Sequence, residues 1–290
     1  MNLKVYPQVF ERQPDLIIED GEGYQASVRA LASELKEPLP IDLAQLIALE
    51  KLSPLVEKFH ELRAAGRESI AIGQVSLSDS LLFTSIPQIW GVGLNFAAHA
   101  NDLEAEQPPF PGSYSRPYSC VIPNGGAIKI PTQSSRVTAE GELGIVLGKA
   151  AKNVSADEAF DYILGFTTVI DMTAEDALRK NLRYIAWCKG FDAFCSVGPS
   201  LVLRDQEKHG DLGDISISTY RNDELISRNT VSAMKFNPAQ ILEYFSAGRT
   251  LPAGTVISTG TPGATVISPG DTVRAEVSGI GVLEHPVEAA

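Results

Sequence analysis

The run Val137–Leu147 (VTAEGELGIVL) constrains this 290-residue chain more than any other segment. Its pattern reads as a strand, and side chains on a strand alternate between the two faces. Glu140 and Glu142 therefore share one face, about 7 Å apart. Two like charges so placed in an otherwise apolar run repel each other. Either the strand lies at an edge with its acidic face in water, or both carboxylates converge on something positive. A hard divalent cation suits the second arrangement, because it accepts carboxylate oxygens and cancels both charges.

Residues 164–170 (LGFTTVI) form a second strand-like run, rich in β-branched and aromatic residues, that ends at Asp171. Residues 172–180 (MTAEDALRK) then take a helical pattern with Thr173 as N-cap. An aspartate at such a junction serves as a cap or turn residue, or joins Glu140 and Glu142 as a third carboxylate. With no histidine or cysteine nearby as an alternative, such a set binds through oxygen alone, which selects Mg²⁺, Mn²⁺ or Ca²⁺ over zinc. Mg²⁺ keeps positions open for water and substrate, which suits catalysis.

Further motifs follow in order: Gly165-Phe166-Thr167-Thr168-Val169-Ile170-Asp171, Lys189-Gly190-Phe191-Asp192-Ala193-Phe194, Gly198-Pro199, Ser258-Thr259-Gly260-Thr261-Pro262-Gly263, Pro269-Gly270-Asp271 and Ser278-Gly279-Ile280-Gly281. Upstream stands Gly91-Val92-Gly93-Leu94-Asn95-Phe96-Ala97-Ala98-His99. Together with Glu140-Gly141-Glu142-Leu143, this series resembles the fumarylacetoacetate hydrolase family from about residue 90 to 287. The resemblance implies an α+β fold, a β-rich mixed β-sandwich roll, behind a small N-terminal domain. It also implies a homodimer, with Glu140, Glu142 and Asp171 holding Mg²⁺ or Mn²⁺, Ca²⁺ being a further candidate.

The resemblance assigns the remaining roles. His99 is the water-activating base, on a short helix from Phe96 to Asp102 that Asn95 would cap. Asp102, three residues on, lies on the same helical face and could hold one imidazole nitrogen. Family members usually carry the longer Glu there, so Glu104 and Glu106 are substitutes. Lys189 stabilises negative charge on a substrate oxygen, or else pairs simply with Asp192. Gly260 and Thr261 form a turn suited to a substrate carboxylate. Many relatives place an arginine four residues after the aspartate ligand, where this chain has Glu175. Arg179, Arg183 or Arg116 would then supply the missing cation, or the preferred substrate carries less negative charge at that end.

The implied activity is hydrolysis of a C–C bond in a β-diketone or acylpyruvate-type 2-keto acid, with an enolate, stabilised by the ion, as leaving group. Oxaloacetate decarboxylase, tautomerase and hydroxymuconate-type isomerase activities use the same site and stand as alternatives. A non-catalytic binding homologue is the alternative from another class.

Composition narrows the partners. A net charge of −12 and a pI near 4.8 disfavour nucleic acid and anionic membrane surfaces, which need clustered Lys and Arg. No run approaches the ~20 apolar residues of a membrane span, and the N-terminus lacks a signal core. Three cysteines, Cys120, Cys188 and Cys195, have no framework spacing and read as reduced thiols of a cytoplasmic protein.

The chain divides into a small N-terminal domain, 1–86, and a catalytic domain, 87–290. In the first, Tyr24, Val28, Leu31 and Leu35 recur at helical spacing. Leu43, Leu46, Ile47 and Leu49 mark a second helix. Ser53-Pro54 opens a third, with Leu55, Phe59 and Leu62 inward and His60 toward solvent. The proline-rich stretch 104–119 reads as a lid. Gly91-Val92-Gly93 lacks the third glycine and distal acid of a dinucleotide fingerprint.

Overall fold

Val137–Leu147 and Ile163–Ala174 are neighbouring antiparallel strands, in register from Val137 opposite Ala174 to Val146 opposite Gly165, with a one-residue shift that sets Leu147 opposite Ile163. The computed structural model describes residues 3–10, 13–70, 80–204 and 212–290. Every residue of Val137–Leu147 is buried, so the acidic edge-strand alternative does not hold. A strand covered on both faces loses the simple in-out alternation of an exposed one.

These two strands form the middle of an 11-stranded sheet. On one side follow Cys195–Leu203, Lys4–Phe10, Gln13–Glu19 and Gln25–Ser27; on the other, Val256–Ser258, Ile89–Gly93 and Gly112–Arg116. Ala264–Ile267 also pairs with Val137–Leu147, and Val121–Ile122 with Cys195–Leu203. A second, 5-stranded sheet runs Glu224–Thr230, Ser216–Arg221, Thr272–Val277, Gly281–Ala289 and Ile128–Ile130. The fold is α+β and sheet-rich, as the resemblance implied.

The packing of the two sheets decides which way the glutamates face. A Cβ on Gly141 would lie 2.8 Å from Thr219 Oγ1 and 3.0 Å from Ala275 Cβ, both on the second sheet. Glycine lets the sheets meet here, so Glu140 and Glu142 turn to the opposite face.

The N-terminal strand Lys4–Phe10 joins the large sheet through Lys4 opposite Val202 and Val5 opposite Leu201. Three helices follow, Val28–Leu35, Leu43–Ala48 and Leu52–Ala64, burying Leu31, Leu46, Leu55 and Phe59. Ser27 and Asp42 cap the first two. Pro54 lies in the first turn of the third as expected, but Ser53 is no cap, because the helix starts one residue earlier. Tyr24 is buried ahead of the first helix, and Leu49 is exposed just past the second. His60 is exposed, as expected.

Three local expectations are corrected. Strand pairing carries Ile163–Ala174 past Asp171, so Thr173 is a strand residue and the helix is only Glu175–Lys180. Residues 112–116 of the expected lid are an edge strand paired to Ile89–Gly93. Gly91 belongs to that pairing: a Cβ there would sit 2.1 Å from Tyr114 Cζ, so the glycine makes room for the ring. Asn95 does not cap the helix Ala97–Asp102. Its side chain instead donates to the carbonyls of Thr259 and Phe236 and accepts from the Phe236 N–H. The three cysteines are free and buried. Among the described residues no helix is long and apolar enough to cross a membrane.

Candidate active site

Glu140 and Asp171 are direct cross-strand partners, and Glu142 follows on the same face. One oxygen from each of these buried carboxylates lies within 4.8 Å of the others. Lys189, just past the short helix Ile185–Cys188, reaches into the cluster. Its Nζ donates to Asp171 Oδ1 and Thr173 Oγ1, both at 2.8 Å, and to Glu140 Oε2 at 3.2 Å. Asp192 is not its partner in this arrangement. Thr173 and Thr138 hydroxyls donate to Glu140 Oε1 at 3.0 and 3.3 Å.

Asp171 is held from behind as well. The Arg116 guanidinium pairs with Oδ1 and the Tyr114 hydroxyl donates to Oδ2. Arg116 also donates to the carbonyls of Lys189 and Phe194, at 2.5 and 2.7 Å. Glu142 Oε2 accepts from the Ser258 hydroxyl and, at 2.7 Å, from the Gly260 N–H. Gly260 sits at φ +93°, where a Cβ would press to 2.9 Å on Asn95 Cβ and Val92 O. No other residue brings that N–H to Glu142 without strain.

Two cations, Lys189 and Arg116, face these three carboxylates. Burial works against Asp171 ionising, but Arg116 and Lys189 outweigh it and hold its pKa below the usual aspartate value. Burial likewise opposes charge on Lys189, and Asp171 and Glu140 outweigh it, so the ammonium persists. Glu142 lies on the losing side of this balance: burial, then Asp171 and Glu140, push its pKa up to about 8. Near neutral pH two carboxylates thus balance two cations, and Glu142 keeps a proton that an incoming cation would displace.

A third carboxylate with no cation of its own fits a divalent ion. Oxygens bind Ca²⁺ at about 2.3–2.6 Å and Mg²⁺ at about 2.0–2.1 Å, so one ion bridges oxygens up to about 5 Å or 4 Å apart. The observed spread of up to 4.8 Å suits the larger ion as it stands and the smaller after a slight side-chain adjustment.

Glu140, Glu142 and Lys189 line a cavity of about 680 Å³, together with His99 and Thr261. His99 is buried, and its Nδ1 has no hydrogen-bond partner among the described residues. Asp102 is exposed and does not bond to it. Thr261 is buried, with its hydroxyl donating to Gly263 O at 2.9 Å.

The expected cationic clamps are placed otherwise. Arg116 is buried behind Asp171 and is not among the residues lining the cavity. Arg183 is exposed in the turn Leu182–Tyr184 and also lies outside that lining. Glu175, at the position many relatives give to arginine, is buried between Arg136 at 2.5 Å and Arg179 at 2.6 Å.

Sequence reasoning missed Tyr114, Ser258 and the threonine hydroxyls. Ser258 adjoins the Thr-Gly-Thr-Pro element and was within reach; Tyr114 was hidden in a stretch read as loop.

A sheet-rich fold with a buried acidic trio that could hold a divalent ion, two of its members on a large cavity, points to one family of proteins. The sequence description "Fumarylacetoacetate (FAA) hydrolase C-terminal" matches residues 88–288, and the chain belongs to that family. It is 33% identical to a mitochondrial oxaloacetate decarboxylase of Dictyostelium discoideum, over 67% of this chain and 89% of that protein. A crystal structure of 5-carboxymethyl-2-hydroxymuconate delta-isomerase from Mycobacterium smegmatis aligns with TM-score 0.64 and 35% identity, covering 71% of this chain and 78% of that one. Fumarylacetoacetate hydrolase from Exiguobacterium antarcticum aligns over 99% of this chain and 100% of its own, with TM-score 0.76 and 22% identity, a likeness of fold. The family's members include decarboxylases, isomerases and hydrolases.

Proposed function

We propose that the chain is a divalent-metal-dependent enzyme that hydrolyses the C3–C4 bond of an acylpyruvate-type 2-keto acid or related β-diketone. The observation that carries this reading is the trio Glu140, Glu142 and Asp171, whose third carboxylate has no cation of its own, with Glu140 and Glu142 on a cavity that His99 and Lys189 also line. Bound Mg²⁺ or Mn²⁺ would supply Lewis acidity toward the dicarbonyl oxygens.

In this reading Glu140, Glu142 and Asp171 hold the ion, while Tyr114, Arg116, Ser258 and Gly260 hold the carboxylates in place. Such supporting contacts fix ligand orientation. His99 takes a proton from water as the water oxygen bonds to C4. The C3–C4 bond breaks, its electron pair passes to the pyruvate side as an enolate, and C4 leaves in a carboxylic acid. Lys189 stabilises charge growing on oxygen. Thr261, which lines the cavity just after Gly260, stands on the turn that would meet the substrate carboxylate. The working unit in this proposal is a cytoplasmic homodimer, with residues 1–86 supporting the catalytic part.

A second reading is decarboxylation or tautomerisation of oxaloacetate, or isomerisation of a hydroxymuconate-type acid. These need the same enolate but no activated water. The unpartnered Nδ1 of His99 and the exposed Asp102 favour it, as do the activities named for two relatives.

An absorbance assay of acylpyruvate and oxaloacetate with Mg²⁺ separates the two, using wild type and His99→Ala. Hydrolysis predicts that His99→Ala loses about 100-fold or more on acylpyruvate while oxaloacetate turnover persists. Acylpyruvate cleavage at the wild-type rate in that variant would remove His99 as the base. Turnover of oxaloacetate alone by the wild type would establish the second reading.

A further inference from the structure

Away from the carboxylates, the cavity wall changes character. Leu94 and Leu103 line it on the His99 side, and Leu178, Leu182 and Ile185 elsewhere. Two cations reach this wall, Arg179 and Lys180. Arg179 is engaged: Nη2 lies 2.6 Å from Glu175 Oε1, while Arg136 holds the other oxygen. Lys180 is exposed, and water already solvates it.

A second carboxylate on the substrate would meet mostly apolar side chains here, and its attraction to the solvent-exposed Lys180 and the already paired Arg179 would be screened by water and worth little. An apolar group would instead cover apolar surface, a gain of about fourfold in affinity per buried methylene. Size points the same way. A cavity of about 680 Å³ holds roughly twenty waters at their liquid volume, and a four-carbon diacid would leave most of them in place.

Resting on the metal-site reading above, we propose that the substrate is a 2-keto acid whose far end, beyond the bond that breaks, is an uncharged apolar chain of several carbons or an aromatic ring. Glu175, by engaging Arg179, excludes the diacids that an arginine free to face the cavity would recruit. The 2-keto acid end lies at the carboxylate trio, and the tail runs along Leu178, Leu182 and Ile185.

The test measures kcat/KM of the Mn²⁺-loaded enzyme on 2,4-dioxo acids whose acyl chain grows from acetyl to octanoyl, beside equally long analogues ending in carboxylate. Expected is a rise of about threefold to fourfold per methylene over the first few carbons, with carboxylate-ended analogues at least tenfold poorer than their methyl-ended partners. Leu178→Arg should shift that ratio toward the carboxylate-ended series by tenfold or more. A flat series, or preference for the diacids, overturns the inference and leaves the metal-site reading intact. If no dioxo acid turns over, the proposed reaction fails instead. The tail preference is then read by calorimetry, from binding of 2-oxo-octanoate against 2-oxo-octanedioate to the Mn²⁺-loaded protein; tighter or equal binding of the diacid overturns it.

Discussion

Glu140 and Leu182 line the same cavity, yet Glu140 is 7% exposed and Leu182 is 70% exposed. Glu140 stands on a fully buried strand, with Thr138, Thr173 and Lys189 bonded to its carboxylate. Leu182 belongs to a chain of short pieces, Glu175–Lys180, Leu182–Tyr184 and Ile185–Cys188. None of these is long enough to be a stable helix by itself, so packing alone sets its position. Segments with few buried contacts also open at low free-energy cost. The floor of the cavity is thus fixed by paired strands and buried charge, and the wall by light packing. A floor of that kind suits chemistry that tolerates little displacement, and such a wall suits selection among tails.

The largest effect should come from the floor. Asp171→Asn removes one carboxylate of the trio and leaves Arg116 and Lys189 without their shared counter-charge. Turnover should fall by on the order of 1000-fold or more, as expected when a metal-held, preorganised charge is lost. Titration calorimetry with Mn²⁺ should show binding abolished. Undiminished Mn²⁺ affinity would mean that the trio is a structural ion-pair cluster and the contrast between floor and wall has no catalytic meaning.

A smaller effect, on stability, compares the two regions directly. Arg116→Met leaves Asp171 buried beside Lys189 alone, and breaking a buried pair from one side costs about 3–5 kcal/mol. Leu182→Ala removes a side chain that is 70% exposed, so it should stay within about 0.5 kcal/mol of wild type. Urea denaturation of the metal-free proteins reads both. Equal losses would show that the wall is packed as firmly as the floor.

How far this contrast could be read from sequence depends on the range of the interactions. Glu140 and Glu142 were legible as a pair because strand periodicity is local, but their burial was not, since an acidic edge strand shows the same local pattern. Asp171 was legible as a third member but not as a mid-strand residue, since helix-like spacing after it masked the pairing of Thr173 with Thr138. Arg116 and Tyr114 were misplaced for a different reason. Their setting is rich in proline and glycine, and only pairing with Ile89–Gly93 makes it a strand. The joining of Lys4–Phe10 to Cys195–Leu203 is longer in range still, and no local pattern announces it. Motif order carried the β-rich fold; the counter-charges behind the site needed the structure.

The smallest effect concerns Asp102, where sequence and geometry part. Spacing of three residues put it on the helical face of His99, but it is exposed and the imidazole Nδ1 remains unpartnered. An exposed carboxylate that is not bonded to the base contributes a solvent-screened charge, worth little at physiological salt. Asp102→Asn should therefore change kcat/KM on the preferred substrate by less than about twofold, with the pH profile unmoved. A hundredfold loss with a displaced pH profile would instead show that the helix Ala97–Asp102 rearranges when substrate enters and brings the carboxylate to His99. The His99 side of the cavity would then belong with the mobile wall rather than with the fixed floor.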